Sequence, residues 1–214
     1  MTMLAIAVIG AHPSPQTAAP GITFRLRVEE LSGAHVHTIA LRCQVQIAAR
    51  SRRYTKDEQS RLYELFGSLS QWEQTLRSVT WSQATVIVPS FDGCIEVDLS
   101  VPCTYDLQVA SAKYFHAIRN HGVPLSFLFS GTVFQTADGR LSVEPVPWDR
   151  EASYVMPATV WHTAMDQFFP GGGWLMLRRD TIDRLQAFRG RHAVVTWDEA
   201  IELLLQDMAA EERA

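Results

Sequence analysis

The stretch Ile39-Ala40-Leu41-Arg42-Cys43-Gln44-Val45-Gln46-Ile47 sets apolar residues at every second position. Ile39, Leu41, Cys43, Val45 and Ile47 share one face, and Arg42, Gln44 and Gln46 share the other. A period of two describes a strand that buries one face and shows the other to water. Ile22, Phe24, Leu26 and Val28 repeat the pattern upstream. Ser32-Gly33 marks a turn between the two runs.

Further strands follow outward from this pair. The start, Met3 to Ile9, is apolar and reads as a strand ending at Gly10. A signal peptide would carry basic residues before it and a longer apolar run. Thr85 to Val88 and Ile95 to Val101 read as strands joined at Asp92-Gly93, a dipeptide suited to a hairpin. Leu125 to Thr136 and Leu141 to Val146 are expected to pair across Asp138-Gly139.

Helices interrupt these strands. Thr55 followed by Glu58 forms a capping box ahead of Leu62, Leu65 and Phe66, and Gly67 ends that helix. Trp72, Leu76 and Val79 predict a second short helix, and Leu107 to Ile118 a third. From Pro157, at a first helical position, the chain becomes helical. Val160, Trp161, Ala164, Met165, Phe168 and Phe169 share one face until Pro170-Gly171-Gly172-Gly173. Asp180 is expected to cap a short helix bearing Ile182, Leu185 and Phe188. Thr196 and Glu199 box a last helix.

Strands first and helices last describe an α+β fold. We expect a largely antiparallel, sandwich-like sheet in residues 1–150 with inserted helices, and a C-terminal group of three short helices packed on it. Residues 147–156 offer the only candidate boundary. Three short helices have little core alone, so the expectation is one domain over 1–214, strand-rich to 150 and helical over 157–210.

Composition bounds the function. The 214 residues are 47% hydrophobic and 20% charged, with net charge -4. That is globular composition. A weakly acidic globule offers no field for nucleic acid. No run approaches the ~18 apolar residues of a membrane helix. Cys43, Cys94 and Cys103 do not make a disulfide framework. Cys94 and Cys103 flank one extended strand, about 30 Å end to end, beyond the ~7 Å that a disulfide allows. Reduced thiols and a cytoplasmic location are expected.

Candidate chemistry is sparse. His35 and His37, at i and i+2 on an extended segment, could supply two of three ligands to a catalytic metal. The third ligand is missing from the local sequence, and His116, His121 or Glu96 could supply it only through folding. Exposed histidines near a turn are the commoner explanation. His162, beside Trp161, could act as a base or be partly buried. Cys43 belongs to the core face, where thiols are inert. Ser130-Gly131 lies inside a strand, where glycine marks a bulge or close backbone approach. Gly171-Gly172-Gly173 follows a helix, so a C-cap is favoured over a phosphate loop. Glu96 and Asp98 share a strand face with Asp92 nearby, as an ordinary solvated face would. No cofactor is implied. Arg52 and Arg53, with Arg50, could dock an acidic partner. Among six tryptophans, Trp161, Trp174 and Trp197 are candidate anchors for a protein partner if exposed.

Several segments together carry a resemblance. IALRCQVQI (39–47), RLYELFG (61–67), VPCTYDLQVASAKYFHA (101–117), PLSFLFSGTVF (124–134), MDQFFPGGGWLMLRRDTID (165–183) and TWDEAIELLL (196–205) are similar to a bacterial family catalogued as a domain of unknown function. Its members are encoded in gene clusters for the high-affinity, actinobacterial-type nickel-iron hydrogenases. Arg189-Gly190-Arg191-His192 departs from the plainer basic helix end expected there. The resemblance implies a non-enzymatic accessory protein that binds a hydrogenase subunit or maturation factor. It brings no catalytic or metal residues with it. A metal-dependent enzyme or metal carrier using His35 and His37 is the alternative. The long amphipathic strands and late helices also resemble the SecB export-chaperone fold, with a different order of elements, which implies a chaperone for a precursor protein.

Overall fold

The computed structural model describes residues 3–15, 18–104, 106, 108–137, 140–172 and 175–211. The chain forms two compact units, residues 1–174 and 175–214. In chain order the strands of the first are β1 (Leu4–Pro13), β2 (Gly21–Glu30), β3 (His35–Ile47), β4 (Val79–Val88), β5 (Cys94–Pro102), β6 (Gly122–Ala137), β7 (Arg140–Pro145) and β8 (Glu151–Pro157).

They make two antiparallel sheets, confirming the α+β class. The smaller has the order β1-β2-β5. The larger runs β4-β3-β6, and the far edge of β6 is shared. β8 pairs with Gly122–Leu128 of β6, and β7 pairs with Thr132–Ala137. Between those stretches, at Gly131, φ is +145°, and a Cβ would stand 2.1 Å from the Ala40 carbonyl oxygen of β3. Only glycine fits so close an approach.

Alternation along β2 and β3 makes the core. Phe24, Leu26 and Val28 are buried from one sheet, and Leu41, Cys43 and Val45 from the other. Each large apolar side chain withdrawn here contributes about 1.5–3 kcal/mol. Phe24 meets Phe127 of β6 edge-on, ring centroids 5.0 Å apart, which ties one sheet to the other.

The hairpin expected at Asp92-Gly93 does not form. β4 lies on β3, while β5 lies on β2 in the other sheet. The corner is tied on both sides. Phe91 and Val36 exchange backbone bonds of 3.0 and 3.1 Å, and Glu30 donates to the Gly93 carbonyl at 2.7 Å. Alternation encodes an inward face but not the sheet a strand joins. The Ser32-Gly33 turn stands, with the buried Glu30 carboxylate accepting from Ser32 Oγ and the Ala34 amide. β6 and β7 pair as expected, while Asp138 and Gly139 lie outside the described residues. The suspected boundary is partly strand β8, where Ala152, Tyr154 and Met156 turn inward.

The capping box of α1 (Lys56–Arg61) is present, with Thr55 N–H on Glu58 Oε2 at 2.9 Å and Glu58 N–H on Thr55 Oγ1 at 3.3 Å. The chain leaves helical geometry at Leu62 (ψ 0°), so α2 (Tyr63–Phe66) is a separate turn ending at Gly67, φ +71°. Helix α3 (Trp72–Thr75) stops early, and Val79 opens β4 instead of extending it. Helix α4 (Ala110–Ala117) buries Tyr114 and Phe115; Leu107, expected within it, lies outside the described residues. Helix α5 (Ala158–Phe168) packs on β1, β2 and β8. Pro157 is its N-cap, one position before the first helical residue.

The second unit pairs α6 (Arg179–Arg191) with α7 (Trp197–Glu211). Arg178, not Asp180, is the N-cap of α6, and Asp180 sits in its first turn, where a carboxylate suits the helix dipole. The box of α7 forms as expected, with Thr196 N–H on Glu199 Oε2 at 3.1 Å and Glu199 N–H on Thr196 Oγ1 at 3.2 Å.

Candidate functional site

The histidine pair sits at the start of β3, where the β3–β6 register slips between Val36 and Thr38. The slip makes His37 an extra, exposed residue. The two rings stand edge to face, centroids 4.9 Å apart. Three of their four ring nitrogens have partners. His35 Nδ1 meets Asp92 Oδ1 at 2.8 Å and Nε2 meets Ser90 Oγ at 3.1 Å. His37 Nε2 meets Thr136 Oγ1 at 2.7 Å. Among the described residues no three His, Cys, Asp or Glu side chains gather as a metal cluster, and Glu96, His116 and His121 do not complete one with this pair. The arrangement ties the loop carrying Asp92 to the start of β3.

A second polar cluster centres on Glu58, whose side chain is 6% exposed. Arg52 Nη2 donates to Glu58 Oε1 at 2.7 Å, and His121 Nδ1 stands 3.2 Å from the same oxygen. Burial pushes the Glu58 carboxyl up, but the Thr55 amide, Arg52 and His121 outweigh it and hold it below the usual carboxylate range. Arg52 also covers the Tyr54 ring, 4.8 Å from its centroid. Its guanidinium therefore serves the interior, which corrects its reading as a docking residue. Arg53 is exposed and Arg50 reaches the Leu76 carbonyl at 2.7 Å, so the three arginines do not act as one basic patch.

Helices α4 and α5 bring together His116, Arg119, His162 and Asp166 around an open depression of about 470 Å³. His162 Nε2 lies 2.9 Å from the Ile118 carbonyl, which suits an N–H donor there. Burial, then the charge of Arg119 with His162 and Arg61, lowers the His116 pKa. Sequence spacing does not show this grouping, because it needs α5 to fold back beside α4.

The remaining candidates have structural partners. Arg25 donates to Asp98 at 2.5 Å and lies 3.5 Å from Glu96, a cross-strand charge pairing on the solvated face of the smaller sheet. Burial raises the Cys43 thiol to about 12. The three cysteines are free thiols.

The tryptophans divide. Trp161 is 1% exposed and stacks on Phe115 at 5.5 Å, so it belongs to the core and cannot anchor a partner. Trp174 lies outside the described residues. Trp197 is 39% exposed, with the Arg189 guanidinium 4.3 Å from its ring centre.

Exposed apolar side chains also stand on the outer face of the larger sheet. Strand registers align Ile87, Ala40, Thr132 and Pro145 in one row across four strands. The next row holds Thr38, Phe134 and Val143. Ile87 is 68% exposed, Leu141 66% and Val143 56%. Ala40, Arg42, Thr85, Ile87, Ser130 and Thr132 line an open depression of about 510 Å³ on it. The sequence does carry a trace of this face, since Val86, Ile87 and Val88 run without a polar break.

A family model described as "Family of unknown function (DUF6084)" matches residues 1–213. The chain belongs to this family. No curated protein matches this DUF6084 chain. Among solved structures it is similar to a β-glucosidase from Kluyveromyces marxianus at 8% identity and TM-score 0.29, covering 72% of this chain and 15% of the enzyme. A β-glucosidase 3B from Thermotoga neapolitana in complex with α-D-glucose gives 7% and 0.25, covering 72% and 17%. The DUF6084 chain thus spans less than a fifth of either enzyme, and likenesses at these scores carry no argument about activity. No helix among the described residues is long and apolar enough to cross a membrane.

Proposed function

We propose that this DUF6084 chain is a non-enzymatic accessory protein that binds a subunit or maturation factor of a nickel-iron hydrogenase during its assembly. The observation that supports binding is the outer face of the larger sheet, where Leu141 and Val143 stand exposed at one edge near half-buried Phe134 and Ile87 stands exposed at the other edge. A sheet face that shows exposed apolar side chains is suited to a protein partner. The partner class rests on the resemblance to proteins encoded with high-affinity hydrogenases. The same face suits a second reading, a chaperone for an unfolded precursor.

The test is co-purification of the chain with hydrogenase subunits from cells assembling the enzyme, in wild type and in Ile87→Asp. Retention of a hydrogenase subunit or maturation factor by the wild type, lost in Ile87→Asp, is the expected result. Absence of any such protein under both native and maturation-arrested conditions overturns the proposal. Displacement of the retained subunit by an unfolded precursor would favour the chaperone reading.

A further inference from the structure

Among the described residues, strand β7 is paired on one side only, with β6. Its bonding parity follows from one contact. Val146 donates to the Gly131 carbonyl at 2.9 Å, in line with the β6–β7 register. Antiparallel ladders alternate every second residue, so Arg140, Ser142 and Glu144 turn their backbone groups toward β6. Leu141 and Val143 turn theirs away from it. Pro145, which has no N–H to offer, falls on the outward-directed set, the position where an edge strand tolerates proline.

We propose that β7 pairs antiparallel with β7 of a second copy of this chain, about a two-fold axis at Ser142. The sequence Arg140-Leu141-Ser142-Val143-Glu144 is self-complementary in that register. Leu141 faces Val143 of the other copy, and both carry outward N–H and C=O groups, so they form a hydrogen-bonded pair. Two such pairs are made by symmetry. Arg140 faces Glu144 at each end, an opposite-charge cross-strand pair. A one-residue slip in either direction breaks both matches at once. The two copies of Leu141 and Val143, each more than half exposed in one chain, then form one apolar stripe on the outer faces. The interface is isologous and closes as a dimer. It joins two outer faces edge to edge and leaves Ile87, on the opposite edge strand, free.

The register gives a specific test. Ser142 faces itself in a non-hydrogen-bonded pair, with Cα atoms about 4.5 Å apart, inside the range a disulfide spans. In a Cys94→Ser background, Ser142→Cys should oxidise to a covalent dimer, and Leu141→Cys should do so far more slowly. Sedimentation of the full-length wild type over a wide concentration range should show a monomer–dimer equilibrium. Val143→Pro removes one outward donor per copy without touching a bond to β6, and should weaken association at least about ten-fold. Arg140→Glu should weaken it, and Arg140→Glu with Glu144→Arg should restore it. Circular dichroism and thermal melting establish that each variant is folded. A wild type that stays monomeric at every concentration overturns the proposal, as does equal cross-linking at 141 and 142. Both readouts use the isolated chain and stand apart from hydrogenase binding.

Discussion

Arg52 and Glu58 form an ion pair at 2.7 Å with side chains only 11% and 6% exposed. The same carboxylate caps α1 through the Thr55 amide, so one acidic group fixes a helix start and neutralises a buried guanidinium. Glu58→Gln should therefore cost about 3 kcal/mol, mainly from leaving Arg52 buried without its counter-ion. Urea denaturation at pH 7 measures it, and a loss below about 0.5 kcal/mol, the range of surface substitutions, would show that the pair is dispensable.

The same group sets an acid dependence. The Glu58 carboxyl is held below its ordinary value of 4.5 in the folded chain. A lowered folded-state pKa adds stability that is present above the unfolded value and is lost as pH falls through the folded one. The stability gap between wild type and Glu58→Gln should thus be present above about pH 5 and shrink as pH falls below it. Denaturation curves that stay parallel to pH 3 would contradict this.

Gly131→Ala tests the close approach of β6 to β3. An added methyl would meet the Ala40 carbonyl in a backbone conformation at φ +145°. Strain and overpacking together should cost about 2–4 kcal/mol. Thermal unfolding reads the effect, and an unchanged melting temperature would mean that the strands part freely at this point.

Thiol reactivity should separate the three cysteines. Burial pushes both Cys43 and Cys103 to about 12, while Cys94 is exposed. Iodoacetamide at pH 8 should label Cys94 first in the native protein, half-buried Cys103 more slowly, and Cys43 only on unfolding. Mass spectrometry of the labelled peptides decides it. Native labelling of Cys43 at the rate of Cys94 would place it outside the core.

For the histidine pair, the ring nitrogens bonded to Asp92, Ser90 and Thr136 predict weak metal retention. Protein purified without an affinity tag should carry less than one equivalent of metal, unchanged by His37→Ala. Stoichiometric zinc lost in that variant would restore the metal reading.

Local rules were legible where a residue's role is settled by its neighbours in sequence. The alternation of Phe24, Leu26 and Val28 placed them inward, and Thr55-Glu58 and Thr196-Glu199 marked two helix starts. The path of the chain at Asp92-Gly93 was not legible, because a strand with one apolar face fits the edge of either sheet. β8 falls in residues 147–156, which the sequence marks as a candidate boundary, although Ala152, Tyr154 and Met156 alternate. Trp161 shows the limit for function. Helical spacing put it on the apolar face with Ala164 and Met165, yet only packing against Phe115 decides between a core ring and a partner anchor.

The joining of β3 to β6 has a consequence for how the chain comes to be folded. Ile39 pairs with Val133, with all of β4, β5 and α4 between them. On the ribosome β3 must wait for β6 to emerge before one of its two neighbours exists. Until then one side of β3 carries an unpaired ladder, a template for wrong pairing. Folding dominated by such distant pairings is slow, on the order of milliseconds to seconds. The interval in which β3 lacks this neighbour is therefore set by synthesis, because β4, β5 and α4 all emerge before β6 does.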